Sequence, residues 1–181
     1  MHPKLRRWSS IAALAALMGC TQGGTPPNGA GGGPAAGAGV EVLDADALPE
    51  AGRGQSLYVP VYASIATGNN SHPQLLAVTV SVRNTDPEHP IVVKRADYHD
   101  ADGQLVRSDL PRPIRLAPMA STSFFLAESE PRGGSGASYR IDWEGPRGAS
   151  SPAVESLMVR TVGSQGLSFT SQARVVREWN R

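Results

Sequence analysis

Few side chains in this chain are suited to covalent chemistry. Ser135 lies in Gly133-Gly134-Ser135-Gly136-Ala137, which has the outline of a nucleophile elbow. With His99 as base and Asp97 or Asp109 as orienting carboxylate, a hydrolytic triad can be assembled. An elbow, however, holds its serine between a strand and a helix. Here Pro131-Arg132 precede the string and a strand-like run follows it, so a flexible turn is the simpler reading. Such glycines would also let a ligand or a partner backbone approach closely. Asp100, Asp102 and Gly103, near Asp97 and Asp109, invite a calcium reading. In an EF-hand register Tyr98 would then fall where the first carboxylate belongs, and no flanking helices are written in the sequence. Asp-Gly is also the signal of a tight hairpin. His72 and His89 stand beside prolines, and no pair of histidines has zinc-ligand spacing. The expectation is no metal, no cofactor and no catalytic residue.

Recognition chemistry has two further candidates. Arg107, Arg112 and Arg115 are interleaved with Pro111 and Pro113, which reads as a solvated loop balanced by Asp109. Tyr58 and Tyr62 share one face of an extended run in which Pro60 cannot donate to a ladder, so that strand is expected at an edge or broken there. An exposed edge can accept a partner strand. Tyr58, Tyr62, Gly133, Gly134, Ser135 and Gly136 therefore make up the candidate binding surface.

Composition narrows the field. The chain has 181 residues, one cysteine, and a formal charge of +1 from 17 basic and 16 acidic residues. Near-neutral charge gives no nucleic-acid footprint, and a single cysteine excludes a disulfide framework or a cysteine metal cluster. That cysteine is placed tellingly. Lys4, Arg6 and Arg7 precede the apolar run Ile11 to Met18, which is too short to span a bilayer and reads as a secretory signal. Leu17-Met18-Gly19-Cys20 then resembles a bacterial lipobox. The resemblance implies cleavage after Gly19 and acyl chains on Cys20, because stable anchoring takes more than one chain. Thr21, where an aspartate would favour inner-membrane retention, points to the outer membrane facing the periplasm if the envelope has two membranes. Cleavage also removes three basic residues and turns the mature chain slightly acidic.

The elements behind these residues follow in order. Residues 1–19 are read as the signal, and 20–54 as the acylated cysteine with a Gly/Pro/Ala-rich disordered tether. Its Gly-rich part would extend about 25 Å end to end. Residues 55–176 read as the domain, and 177–181 as a tail. Helical periodicity is nearly absent from the domain, while period-two alternation recurs. Leu76, Val78, Val80 and Val82 share one face, opposite Ala77, Thr79, Ser81 and Arg83. Tyr139, Ile141 and Trp143 alternate with Arg140, Asp142 and Glu144. Further strands are expected over 91–99, 121–126, 154–162 and 167–176. Lys94 and Arg95 interrupt the faces of the first of these. Seven or eight short strands with Gly/Pro turns predict an all-β, antiparallel β-sandwich of immunoglobulin-like kind, with a small β-barrel as the alternative. Trp143 and the valine face are the expected core.

Several strings in this span resemble a known family. They are Ser56-Leu57-Tyr58-Val59-Pro60-Val61-Tyr62, Leu76 to Asp86 ending in Arg83-Asn84-Thr85-Asp86, and Asp97-Tyr98 with Asp102-Gly103. The glycine-rich string at 133–137 and Gln165-Gly166-Leu167-Ser168-Phe169 complete the set. Together they are similar to the bacterial lipoproteins grouped as domain of unknown function 3124. That resemblance implies no activity, substrate or site residue. The functional expectation is a lipid-anchored envelope protein whose non-catalytic domain binds or scaffolds another envelope component. The alternative is a lipid-anchored periplasmic hydrolase using Ser135 and His99.

Overall fold

A computed structural model describes residues 37–180 apart from 45, 47, 49, 67, 69–71 and 163–164. The expected signal, Cys20 and most of the tether lie outside the described residues. The strands run β1 Val40–Val42, β2 Arg53–Pro60, β3 Ser64–Ile65, β4 Gln74–Leu75, β5 Ala77–Arg83, β6 Ile91–His99 and β7 Leu105–Ser108. They continue as β8 Ile114–Leu116, β9 Ser121–Leu126, β10 Ser138–Gly145, β11 Ala153–Val162, β12 Gln165–Gln172 and β13 Arg174–Asn180. Every pairing is antiparallel. One sheet of seven strands has the order β1-β8-β6-β10-β2-β13, with β7 also on β6; a second has β12-β11-β5-β9. A short β3-β4 pair stands apart. The two main sheets form a β-sandwich and do not close into a barrel.

The centre of the sandwich keeps immunoglobulin order. β5 neighbours β9 in one sheet and β6 neighbours β10 in the other, as strands B and E, and C and F, do in that fold. The flanks differ. β2 lies beside β10, and β11 lies beside β5, whereas the immunoglobulin order puts the first strand beside B and the last beside F.

Alternation fills the space between the sheets. Leu76, Val78, Val80, Val82, Tyr139, Ile141 and Trp143 are all fully buried, as their period-two spacing predicts. Trp143 donates its indole N–H to Gln55 Oε1 at 3.2 Å, so its one polar atom is satisfied inside the core. In β6 the alternation changes phase. Val93 pairs with Trp143 and Arg95 with Asp142, leaving Lys94 as an extra residue. This bulge lets Ile91 and Val93 on one side of it, and Ala96 and Tyr98 on the other, all face inward.

Of the two readings of Pro60, an edge or a break, the break holds: β2 is an interior strand between β10 and β13 and ends at Pro60. Other boundaries differ from the sequence reading. The expected strand over 167–176 is two strands. At Ala173, whose N–H bonds Val154 O at 3.0 Å, the chain leaves the four-stranded sheet and joins the other as β13. The expected tail therefore contributes Arg177 to Asn180 to the sheet. At the other end, Val40–Val42 of the expected tether pairs with β8, and Leu43 is buried. Arg115 to Glu41 at 2.8 Å and Arg112 to Asp44 at 3.4 Å tie that segment down. Of the arginines taken for a solvated loop, Arg112 and Arg115 thus pair with the added segment, while Arg107 binds Asp109 as expected.

Asn84 and Asp86 bind the loops at one end of the sandwich. The buried Asn84 amide donates to the carbonyls of His89 and Ala117, at 2.9 and 3.0 Å, and its oxygen accepts from Asp86 N–H. Asp86 in turn accepts from the N–H groups of Glu88, His89 and Ser150 at 2.7–2.9 Å. These backbone donors, with the His89 ring at 3.1 Å, hold its carboxyl well below the ordinary value of 3.8. A folded-state pKa below the unfolded one gives stability that is present above the unfolded value and lost as pH falls through the folded one. The wild-type melting temperature should therefore decline steadily below pH ~4. Asp86→Asn should melt lower at neutral pH and show a shallower acid decline, read by thermal unfolding across pH. Parallel profiles for the two proteins would show that Asp86 does not contribute.

Candidate functional site

The structure separates the candidate residues that sequence spacing grouped together. Ser135 is exposed in a 3-10 segment, Pro131–Gly136, with no helix after it. His99 ends β6 opposite Ser138 and Leu105, and no hydrogen bond joins it to Ser135. Asp97 is engaged by Arg95 at 2.8 Å. Asp109 is buried and bound by Arg107 and by the Tyr139 hydroxyl. Asp100 forms the hairpin turn, accepting from Asp102 N–H at 3.0 Å and Gln104 N–H at 2.8 Å, with Gly103 at φ 75°. Among the described residues no group of three or more acidic, histidine or cysteine side chains is arranged to hold a metal.

The glycine-rich loop has a packing reason for its composition. A Cβ on Gly133 would collide with the Tyr98 hydroxyl, and Gly134 has φ 61°, a conformation that side chains disfavour. Tyr98 is fully buried, with its ring 5.3 Å from that of Tyr139, and burial pushes its hydroxyl up to about 12. The loop also extends the β2 ladder, because Val61 N–H bonds Ala137 O and Ala63 N–H bonds Gly134 O, both at 2.9 Å. Tyr62 packs edge-on against Phe169, ring centroids 5.7 Å apart. Tyr58 alone of the two tyrosines is strongly exposed, at 41%.

Tyr58 stands at one end of a feature that the sequence reading did not assemble. On the outer face of the seven-stranded sheet, strand register places residues in three rows. Arg174, Tyr58, Arg140 and Asp97 form one row, and Arg177, Ser56, Asp142 and Arg95 the next. Trp179, Gly54, Glu144 and Val92 form the third, beside the bulged Lys94. The middle strand, β2, contributes Ser56 to the second row and Gly54 to the third, and these small residues lie between the long side chains of β13 and β10. The result is a trough of about 420 Å³ with Ser56 on its floor and Arg177 and Trp179 on one rim. Gly54 is needed there, since a Cβ would come within 2.6 Å of the Trp179 indole.

Charge in the trough is largely paired. Asp142 accepts from Ser56 Oγ at 2.6 Å, Arg140 Nε at 3.1 Å and Arg95 Nε at 2.9 Å. Arg95 also holds Asp97, whose hydrogen bond leads the effects that raise its pKa above the ordinary arginine value. Lys94 meets Glu144 at 3.1 Å. Arg174 and Arg177 are exposed on the β13 rim and make no ion pair or hydrogen bond. A smaller apolar cleft of about 190 Å³, walled by Val92, Pro90 and Pro146, adjoins the trough and shares Glu144 with it. The opposite outer face, on the four-stranded sheet, is different in kind. Its pocket of about 210 Å³ is lined by Thr79, Ser81, Arg83, Ser121, Thr122 and Ser123, and Arg83 is paired with Glu155.

Residues 54–176 match the model of a family described as a protein of unknown function, DUF3124. The chain belongs to the DUF3124 family. The strings that carried the resemblance now have structural roles: Asn84 and Asp86 bind loops, Asp102-Gly103 turns a hairpin, and Gly133 admits Tyr98. A search of curated proteins finds no match. Among solved structures, the crystal structure of Thermotoga maritima 1070 is similar at 13% identity and a TM-score of 0.39, over 66% of this chain and 92% of that one. The trough of this DUF3124 domain was only half legible in the sequence. Arg140, Asp142 and Glu144 occupy the outward phase of a recognisable strand, but their partners on β6, β2 and β13 are set by register.

The packing role of the loop is testable. Gly133→Ala should destabilise the domain by about 1–3 kcal/mol through overpacking against Tyr98. Adding Tyr98→Phe, which deletes the colliding oxygen, should recover part of that loss in denaturant unfolding. Equal stability of Gly133→Ala and wild type would remove the packing explanation.

Proposed function

We propose that this protein is a lipid-anchored component of a bacterial cell envelope, and that its β-sandwich is a non-catalytic binding module working through the trough beside β2. The anchor reading is supported by Leu17-Met18-Gly19-Cys20 after a basic and apolar leader. On this reading the glycine-rich stretch after Cys20 would serve as the tether between anchor and domain. If the envelope has two membranes, the favoured location is the outer membrane, facing the periplasm, because Thr21 and not an aspartate follows Cys20.

The observation that carries the binding reading is the contrast between the two outer faces. One has a recess with Ser56 on its floor, lined by charged groups on paired strands, with the unpaired Arg177 on its rim and the unpaired Arg174 further along the same face of β13. Paired strands hold such groups in place more rigidly than loops do. The other face has a pocket of half that volume among small hydroxyl-bearing residues, beside the exposed apolar Phe125 and Leu157, and its Arg83 is paired with Glu155.

Two outcomes follow. Cys20→Ala should move the protein from the membrane fraction to the soluble fraction, as read by fractionation and mass spectrometry of the amino terminus. Continued membrane association would show that the lipid is not what holds it. A photo-crosslinking phenylalanine at Tyr58, on the trough face, should give a discrete adduct in intact cells. The same probe at Phe125, which is 53% exposed on the other sheet, should give none. Absence of an adduct at Tyr58, or equal adducts at both positions, would sink the trough as the binding face.

A further inference from the structure

Each carboxylate of the trough is already answered by a cation. Asp142 has Arg95 and Arg140, Asp97 has Arg95, and Glu144 has Lys94. Arg174 and Arg177, on the edge strand β13, are left without an ion pair or hydrogen bond. They lie opposite Tyr58 and Ser56, two residues apart along β2, so their backbones are about 7 Å apart. Tyr58 is a neutral aromatic and Ser56 a small hydroxyl, so neither neutralises the arginine across from it. The bulge at Val176 puts both arginines on the same outward face. Without it, residues 174 and 177 would face opposite sides of the sheet.

From this geometry we infer that the trough takes a small ligand carrying two anionic groups, phosphate or carboxylate, spaced to meet Arg174 and Arg177 together. A guanidinium binds such groups through paired N–H donors, so each arginine can hold one. The ligand then spans the rows of Tyr58 and Ser56, and the Trp179 indole stands beyond Arg177 at the far end of the trough. The inner carboxylates do not repel the ligand strongly, because their charge is already offset by the β6 and β10 cations. This inference rests on the trough being the binding face, and it adds the chemistry of what binds.

The test uses the full-length protein in detergent, with fructose bisphosphate, inorganic phosphate and fructose as probes in titration calorimetry. The bisphosphate should bind, fructose should not, and inorganic phosphate should bind roughly tenfold or more weakly because it can engage only one arginine at a time. Arg174→Ala and Arg177→Ala should each reduce bisphosphate affinity to near the level of inorganic phosphate, without lowering the melting temperature. Arg147→Ala, a change at an exposed arginine outside the trough, should have no effect. Raising the salt concentration should weaken binding. Binding that survives both trough substitutions, or equal affinity for the bisphosphate and inorganic phosphate, would overturn the two-point inference. If the bisphosphate does not bind yet the Tyr58 probe still forms its adduct, the ligand chemistry is wrong and the trough stands. If both fail, the binding face itself is wrong.

Discussion

One extra residue in β6 governs both surfaces of the larger sheet. A strand of nine residues with strict alternation could not bury Ile91 and Val93 together with Ala96 and Tyr98, because the two pairs are out of phase. The bulge at Lys94 absorbs the mismatch. Inside, it brings Tyr98 to the interior end of the strand, where the ring meets Tyr139 and the loop at Gly133. Outside, it makes two consecutive basic residues available to the outer face, so Lys94 reaches Glu144 while Arg95 reaches Asp142 and Asp97. The apolar core and the charged wall of the trough are consequences of the same backbone irregularity.

The second organising feature is that polar side chains, and not a disulfide, fasten the ends of the sandwich. Asn84 and Asp86 are almost fully buried, yet their side chains are committed to backbone groups from three separate loops. Buried polar groups cost stability unless they are paired, and these are paired. At the opposite end, Asp109 collects Arg107 and Tyr139. Of the strings resembling the DUF3124 family, Leu76 to Asp86 ends in such a fastening, Asp102-Gly103 turns a hairpin and Gly133 admits the Tyr98 ring. They describe how the domain is held, and the trough is built largely from residues outside them.

The edge of the sandwich follows the same logic. β12 and β13 are one extended stretch that changes sheets at Ala173, so a single segment borders both layers. Charged residues and a bulge at Val176 blunt the β13 edge against indiscriminate pairing. The same bulge sets Arg177 on the rim of the recess and Arg174 on the same outward face. Protection of the edge and construction of the rim are thus compatible uses of one strand.

Sequence alone settled what depends on neighbours along the chain. The alternation in 76–82 and 139–144 specifies which side chains face the core, because side-chain direction in a strand reverses at every residue. The Asp-Gly turn was legible for the same local reason. Strand order was not, and Pro60 illustrates why. It marks the end of β2, but whether that strand lies at an edge depends on β13, more than a hundred residues away. Pairing Val40–Val42 with β8 likewise depends on distant arginines meeting Glu41 and Asp44. The trough belongs wholly to this second class. Its rows cross four strands drawn from residues 53 to 180, and only tertiary register, fixed by core packing and two bulges, aligns them.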